Sequence, residues 1–123
     1  MNTIEISEYL NRDLICSKNV YGVYPAIDEN RRGDFFDSMG RFPTKWFKTF
    51  LDKNCTAWIW NEKQLQSVIS KFCGHYCIFY CLYRCRGLDV RKVAKMFTND
   101  TSLNDSIVHN FVCNVYRFLF NKI

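Results

Sequence analysis

Hydrophobic and polar residues follow a helical spacing at the start of the chain and a strand-like spacing soon after it. The stretch from Thr3 to Asp13 favours a short amphipathic helix, whose apolar residues are Ile4, Ile6, Tyr9 and Leu10. Residues 15–27 show no regular pattern and are predicted to be irregular, and the polar residues 28–33 predict a turn. The sequence DFFDSMG, Asp34 to Gly40, then predicts a short strand that ends in a loop.

The middle of the chain predicts a second helix and a second strand. Pro43 and Thr44 open the sequence TKWFKTFLDKN, which ends at Asn54 and repeats its apolar residues on one side of a helix. The aromatic-rich sequence CTAWIWN, residues 55–61, is typical of a strand. The sequence EKQLQSVISK, residues 62–71, predicts a loop.

A long apolar run and two later helical patterns follow that loop. Almost every residue from Cys73 to Tyr83 is apolar, and the first charged side chain after Cys73 is Arg84. Because an amphipathic surface helix would show a polar face, we predict that this helix is buried at the centre of the molecule. Residues 87–97 predict another helix, and residues 102–120 predict a last one with apolar residues at helical spacing.

These patterns together define the expected architecture. The order of helix, strand, helix, strand and three helices predicts an α+β fold with a small, incomplete antiparallel or mixed sheet. This sheet is expected to pack on the central helix, with further helices towards the C-terminus. The chain has 123 residues, of which 48% are hydrophobic and 17% aromatic, and this suffices for one modest core. We therefore expect a single domain that spans residues 1–123.

Composition and charge narrow the cellular setting. The N-terminal residues lack the basic and apolar regions of a secretion signal, and no apolar run is long enough to span a membrane. Seven cysteines, an odd number, argue against a disulfide framework when no such signal is present. We expect an intracellular protein of the cytoplasm or nucleus that does not contact membranes. The net charge of +5 is mildly basic and does not indicate a dedicated nucleic-acid binder.

Four of the cysteines recur at every fourth position of the apolar run: Cys73, Cys77, Cys81 and Cys85. This spacing places them on adjacent turns of one helix face. A tetrahedral zinc site needs ligands that converge from several directions, which one helix face does not provide. We therefore predict no metal and no cofactor, and we expect the last three of these cysteines to be small, buried core residues.

The first of the four, Cys73, has different surroundings. It opens the apolar helix, where unpaired backbone N–H groups and the positive end of the dipole stabilise a thiolate. Its own N–H can serve a developing oxyanion, and Gly74 leaves room for a substrate backbone. Gln66, in the preceding loop, is expected to bring its side-chain amide to the same point. Cys73 and Gln66 thus have the chemistry of a nucleophile and an oxyanion hole.

A glutamine seven positions before a Cys-Gly pair that opens an apolar helix, preceded by DFFDSMG, resembles the adenovirus endopeptidase (adenain) and its relatives in mobile elements. The wider group of cysteine peptidases includes the ubiquitin-like-protein-specific proteases. The resemblance runs from about Asp28 to Phe120. It implies that Asp37 is the acidic triad member, that Cys73 is the nucleophile, and that Gln66 and Cys73 form the oxyanion hole. Cys55 lies where adenain has the cysteine that can pair with its activating viral peptide.

The histidine of that family is missing from the expected position. In the family it lies on a strand beside the aspartate strand, and counting back from Asp37 by the family's spacing reaches Val20 and Tyr21. The chain's two histidines, His75 and His109, both follow Asp37. Tyr21, with a reference pKa near 10, is a weak substitute for an imidazole.

The sequence around Ala26 indicates where a segment is lost. GVYPA resembles the family's N-terminal region, whereas IDENRRGDFFDSMG resembles the hairpin that follows the histidine strand. We hypothesise that the segment with the histidine strand and at least one neighbouring strand is absent at this junction, which also explains the shortage of strands. Residues 1–26 would then form an N-terminal helix and loop, and residues 27–123 the remnant of the peptidase core. His75 is a poor base for Cys73, because side chains two residues apart on a helix point about 200° apart.

Three functions remain open. The first is an adenain-like cysteine peptidase homologue, derived from a mobile element or a virus, that recognises peptides or proteins but is inactive as this chain because the triad histidine is missing. The second is a non-catalytic module that keeps the peptide groove. The third is non-specific DNA binding by a cluster of basic residues: Arg84, Arg86, Arg91, Lys92 and Lys95. An ordinary solvated helix face is the other interpretation of that cluster.

Overall fold

The computed structural model describes residues 23–120, which form an α+β fold as the sequence predicts. The strands are β1 (Val23–Ile27), β2 (Arg32–Asp37) and β3 (Ala57–Trp60). The helices in this part of the chain are α1 (Lys45–Asn54), α2 (Cys73–Cys85), α3 (Val90–Ala94) and α4 (Thr101–Phe120). The helix predicted from Thr3 to Asp13 lies outside the described residues.

β2 is the middle strand of a small mixed sheet with the order β1-β2-β3. β1 and β2 run antiparallel, with Val23 opposite Asp37, whereas β2 and β3 run parallel. A parallel pair requires a crossover connection, and α1 lies in the connection between these two strands. Because β2 and β3 point in the same direction, their carboxyl ends lie at the same end of the sheet.

β1 is a strand that the sequence pattern did not indicate. The prediction of irregular structure is wrong for residues 23–27, which pair along their length with β2. Pro25 has no N–H to donate and weakens the strand signal, but proline is tolerated in strands at the edge of a sheet. Among the described residues β1 is such an edge strand. The expected boundary after Ala26 therefore falls inside a strand.

The alternation of side chains along β2 separates two hydrophobic clusters. Phe36 faces α2, where its ring stacks on Tyr80 with 4.7 Å between the ring centroids. Phe35 belongs to the other cluster and contacts Phe47 of α1 at 5.2 Å. Neighbouring residues of a strand point to opposite faces of the sheet. β2 therefore contributes to both clusters: one lies between the sheet and α2, and the other, the α1-side cluster, lies between the sheet and α1.

α2 begins at Cys73, as predicted, and its burial is one-sided. The buried residues of this helix are Tyr76, Cys77, Phe79 and Tyr80. On other sides of the helix, Ile78 is 45% exposed and Cys85 is exposed. The prediction of a fully buried helix, which was based on the lack of a polar face, is therefore too strong. The sheet and the later helices cover only part of the helix circumference.

α3 is shorter than the helix predicted over residues 87–97. It begins at Val90, after Asp89, whose carboxylate accepts a hydrogen bond from the N–H of Lys92 at 2.9 Å. After Ala94 the backbone tightens, since the N–H of Phe97 bonds to the carbonyl of Ala94, three residues earlier, at 3.2 Å. This tighter turn ends the helix before the apolar pattern ends.

α4 matches the predicted last helix and is tied to the loop before α2 by a buried carboxylate. Asp105 accepts a hydrogen bond from the Tyr76 hydroxyl at 2.7 Å and from the backbone N–H of Ser67 at 3.3 Å. Burial, together with the Asp105 carboxylate, raises the pKa of the Tyr76 hydroxyl far above its usual value. Tyr76 therefore stays protonated and remains a donor to Asp105.

Candidate active site

Asp37 is the last residue of β2, and its side chain is only 2% exposed. Asn61, directly after β3, binds its backbone on both sides. The Oδ1 atom of Asn61 accepts the N–H of Asp37 at 3.0 Å, and its Nδ2 donates to the carbonyl of Asp37 at 2.7 Å. One carboxylate oxygen of Asp37 accepts the N–H of Met39 at 2.9 Å. The acidic candidate is thus fixed at a strand end and shielded from water.

The second carboxylate oxygen of Asp37 is occupied by Arg41, a residue that the motifs did not single out. The Nε atom of Arg41 lies 2.7 Å from Oδ2 of Asp37, and the arginine side chain is 57% exposed. The turn between the two residues is closed by a hydrogen bond from the N–H of Gly40 to the carbonyl of Asp37 at 2.7 Å. In the sequence DSMGR an arginine follows the aspartate by four residues, and this spacing could have indicated the ion pair. Arg41 binds Asp37 where a triad histidine would be expected.

Gln66 lies in the loop before α2, and Ser38 holds it against the end of β2. The Ser38 hydroxyl donates to Oε1 of Gln66, and the Ser38 carbonyl accepts the N–H groups of Leu65 and Gln66 at 2.8 and 3.0 Å. Ser38 and Gln66 are both buried. The loop is therefore anchored directly beside Asp37. Ser38 was not predicted, and its only sequence signal is its position next to the candidate acid.

The orientation of the Gln66 amide follows from its two partners. Its Nε2 atom donates to the carbonyl of Ser70 at 3.0 Å. Because a carbonyl oxygen only accepts, the amide nitrogen must face Ser70 and the amide oxygen must face Ser38. The Ser70 hydroxyl in turn accepts the N–H of Phe72 at 3.0 Å, immediately before Cys73. The nitrogen of the amide therefore faces the segment that leads into α2. It carries two hydrogens, of which one is donated to Ser70 and the other remains available.

Cys73 is the first residue of α2 and is half-buried. No side chain caps the start of this helix, and its first turn contains no acidic residue. The first N–H groups of a helix have no acceptor within it, so they are free to stabilise a negative charge on sulfur or on a bound carbonyl oxygen. A Cβ atom added at Gly74 would meet no side chain or backbone of another segment within 4 Å, so the space at this next residue of the helix is open.

Hydrogen bonds link Ser38 to Gln66, and a separate set links Asp37 to Asn61, Met39 and Arg41; the Cys73 thiol belongs to neither set. Within residues 23–120, the thiol makes no hydrogen bond to Asp37 or to Gln66, whose polar atoms are engaged by their own neighbours. The expectation that the Gln66 amide reaches the sulfur stays a prediction. The resemblance also implies a gap between Cys73 and Asp37 that an imidazole ring would bridge, and this gap likewise stays a prediction.

His75 and His109 lie next to each other around Phe72. Their ring centroids are 5.7 Å apart, and each lies 5.0 Å from the centroid of the Phe72 ring. His109 also has its Nε2 atom 3.7 Å from the sulfur of Cys113. Burial, followed by the charge of His109, lowers the pKa of His75. Among the described residues neither ring is hydrogen-bonded to Cys73, and both rings pack against Phe72, the residue before α2.

The other cysteines differ in exposure. Along α2, Cys77 is buried, Cys81 is half-buried and Cys85 is exposed, so the prediction of a core residue is wrong for Cys85 at the helix end. Cys55 is 9% exposed within the α1-side cluster, and burial raises the pKa of its thiol. Such a thiol is a poor nucleophile, and its pairing with a peptide cysteine would require that cluster to open. Residues 23–120 contain no group of three or more metal-binding side chains that could hold an ion.

The basic residues considered for DNA binding do not form one free surface. Arg84 is only 12% exposed and lies 3.0 Å from the carboxylate of Asp34. Arg91 lies 3.3 Å from Glu62, and the guanidinium of Arg86 lies over the ring of Tyr83 at 5.2 Å from its centroid. The surface that could contact phosphates is therefore smaller than the sequence cluster suggests.

Two glycines near the site are expected to respond in opposite ways to alanine. Gly40 has a φ of +73°, and an added Cβ would lie 2.6 Å from the backbone of Lys63 and of Gln64. Gly40→Ala is therefore expected to lower the free energy of unfolding by about 2–4 kcal/mol. Gly74→Ala, in open space at a helix start, should leave it unchanged or raise it by up to about 1 kcal/mol. Urea unfolding measures the free energy of unfolding of both variants. Equal losses of stability in the two variants would contradict this packing of Gly40.

Comparison of the chain with protein-family models, with curated proteins and with solved structures gave no match. No helix in the described part of the chain has the length and apolar composition that crossing a membrane requires. The resemblance to adenain therefore rests on the sequence motifs of this chain alone.

Proposed function

We propose that this chain is a homologue of the adenain-type cysteine peptidases that keeps the nucleophile, oxyanion-hole and acidic positions but does not cleave peptides. The observation that carries the proposal is the placement of Gln66. Ser38 and Ser70 hold its amide between the end of the strand that carries Asp37 and the start of the helix that carries Cys73. A buried amide bound at both ends is a positioned donor, which is what an oxyanion hole requires.

In the proposed reaction geometry, the Cys73 sulfur attacks the carbonyl carbon of a bound peptide, and the carbonyl oxygen takes up the negative charge. The free N–H groups at the start of α2 and the remaining N–H of Gln66 are the donors available to that oxygen. Breaking the C–N bond then requires a proton on the leaving nitrogen. None of the described residues is hydrogen-bonded to Cys73 and able to supply this proton.

The surroundings of Asp37 support the absence of turnover. In a working triad the acid orients an imidazole, but here Oδ2 of Asp37 is bound to Arg41. A guanidinium stays charged at any ordinary pH and cannot act as a general acid. Asp37 is then a structural counter-ion. Val20 and Tyr21, at the family's histidine position, lie outside the described residues, and neither carries an imidazole.

Two exposed apolar side chains favour a second function, the binding of peptides without cleavage. Val68 and Ile69 lie between Gln66 and Cys73 and are 77% and 88% exposed. A peptide lying across the start of α2 would cover them, and the burial of apolar surface contributes roughly 25 cal/mol per Å². Because both functions use one surface, an inactive peptidase can serve as a peptide-binding module.

Site-resolved alkylation tests the assignment of the nucleophile. The native chain is treated with iodoacetamide for increasing times, and peptide mass spectrometry reports the labelling of each cysteine. We expect Cys73 to react faster than Cys85, although Cys85 is more exposed and lies at the other end of the same helix. The reason is that a helix stabilises a thiolate at its N-terminus only. Cys55, which is buried and has a raised pKa, should react slowest.

The control for that experiment is the same labelling in concentrated urea. There the helix no longer stabilises the Cys73 thiolate, so the advantage of Cys73 over Cys85, which lies between Arg84 and Arg86, should disappear. Native labelling of Cys73 that is no faster than that of Cys85 would remove the basis for a nucleophile at this position.

A further inference from the structure

A cavity of about 340 Å³ lies directly after the carboxyl end of β3. Its lining comes from the loop after β3 and from the region of α3, and includes Asn61, Glu62, Lys63, Arg91, Lys95 and Phe97. In open sheets with parallel strands, ligands commonly bind in the crevice outside the carboxyl ends of the strands. The volume lies at the lower end of the range for small-molecule sites. None of these side chains has a role in the chemistry proposed for Cys73.

The charges that line this cavity are mostly positive. Lys63, Arg91 and Lys95 contribute three positive charges and Glu62 one negative charge, which leaves a net charge of +2. The ammonium group of Lys63 is held at the cavity by the carbonyl of Phe97 at 3.2 Å. Lys95 has no ion-pair partner within residues 23–120. The cavity thus has an excess of cationic groups that its own carboxylate does not neutralise.

Glu62 holds Arg91 in place through an unusual backbone conformation. Its φ of +60° lies in a region that residues other than glycine seldom adopt. Such a conformation persists only where the surroundings fix it, and it occurs preferentially at functional sites. Asn61 provides the fixation, because its amide nitrogen donates to the carbonyls of Asp37 and Lys63 at 2.7 and 2.8 Å. The carboxylate of Glu62 then lies 3.3 Å from Arg91.

We propose that this cavity binds a small molecule that carries a phosphate monoester. A phosphate monoester has a charge of about −1.5 to −2 at neutral pH, which matches the surplus of the lining. A single carboxylate would leave one positive charge unmatched. Arginine also presents a planar pair of donors that suits phosphate oxygens. On binding, the phosphate takes over the guanidinium of Arg91 from Glu62, whose half-exposed carboxylate turns to solvent.

The test titrates the full chain with inorganic phosphate, ribose 5-phosphate and acetate at constant ionic strength, with the backbone amide resonances followed by NMR. Phosphate and ribose 5-phosphate are expected to give saturable shifts at Glu62, Lys63 and Arg91, and acetate is not. Arg91→Gln should weaken phosphate binding by on the order of tenfold or more. The matched control, Lys92→Gln, removes a charge from the same helix outside the cavity lining and should change the affinity by about twofold at most.

Glu62→Gln is expected to change the phosphate affinity in the opposite direction to Arg91→Gln. Removal of the competing carboxylate frees Arg91 and raises the net charge of the cavity, so phosphate should bind more tightly than to the parent chain. A purely structural ion pair would make Glu62→Gln and Arg91→Gln act in the same direction, and that result would overturn the proposal. So would the absence of saturable shifts with both phosphate ligands, or saturable shifts with duplex DNA alone. Inorganic phosphate binding as tightly as ribose 5-phosphate would assign the site to free phosphate.

Discussion

Peptides are expected to stay intact when they are incubated with the purified chain. General acid–base help contributes about 10²–10⁴-fold to such reactions, and a cysteine peptidase uses its imidazole both to hold the thiolate and to protonate the leaving nitrogen. Here the two histidines pack around Phe72 and the candidate acid is bound to Arg41. An adduct formed at Cys73 would return to the thiolate and the intact peptide, because the nitrogen leaves only when protonated.

The assay uses fluorogenic peptides, including ones with small residues and glycine before the scissile bond. Cys73→Ala is run beside the parent chain, because it removes the sulfur with a small change of volume at the half-buried start of α2. Both proteins should give the same background signal. Cleavage well above background that disappears in Cys73→Ala would contradict the proposed inactivity, and it would mean that a residue other than an oriented histidine donates the proton.

Loss of the Asp34 carboxylate is expected to cause a large loss of stability. Asp34, a residue of β2, connects this strand to α2 and α3: its Oδ2 accepts the N–H of Val90 at 3.0 Å and lies 3.0 Å from Nε of Arg84. Burial raises the pKa of Asp34 despite the attraction of Arg84, so desolvation dominates at this site. Asp34→Ala leaves the mostly buried Arg84 charge without its anion and should cost about 3–5 kcal/mol of unfolding free energy.

The matched control for Asp34→Ala is Glu62→Ala, which breaks a carboxylate–arginine pair at the surface. In that pair the side chains of Arg91 and Glu62 are 53% and 54% exposed, so water replaces the lost partner. Such surface pairs contribute about 0–1 kcal/mol. Urea unfolding followed by circular dichroism compares the two variants, and Asp34→Asn separates the charge from the acceptor for Val90. Similar losses in Asp34→Ala and Glu62→Ala would show that the inner pair is not desolvated.

The starting points of α1 and α2 could be predicted because their signals are local. Thr44 precedes α1, and the glycine after Cys73 together with the apolar run marked the start of α2. The strand β2 was visible in DFFDSMG because a pair of phenylalanines between polar residues fits a strand buried on both faces. The extent to which α2 is buried could not be predicted from such local signals. It depends on how many strands and helices surround the helix, and the apolar pattern of the helix carries no such information.

β1 and the supports of the site could not be predicted because their partners are distant or unmarked. β1 is a strand only by virtue of its pairing with β2, and Pro25 removes the usual signal. Gln66 and Asp37 were found through motif spacing, whereas Ser38 and Asn61 act through hydrogen bonds to residues 28 and 24 positions away. Periodicity describes which face a residue occupies. It does not describe which polar group from another element will meet it there.

The buried carboxylate of Asp105 links the end of the chain to the candidate site. It accepts hydrogen bonds from Ser67, next to Gln66, and from Tyr76, in the first turn of α2 after Cys73. If α4 lifts away, both donors lose their acceptor at once, and the loop that orients the Gln66 amide is released from one of its two anchors. Local opening of the loop and undocking of α4 therefore share one free-energy cost, so the two segments behave as a single cooperative unit. A partner that binds the C-terminal helix would then loosen or rigidify the Gln66 loop and the start of α2 without touching Cys73.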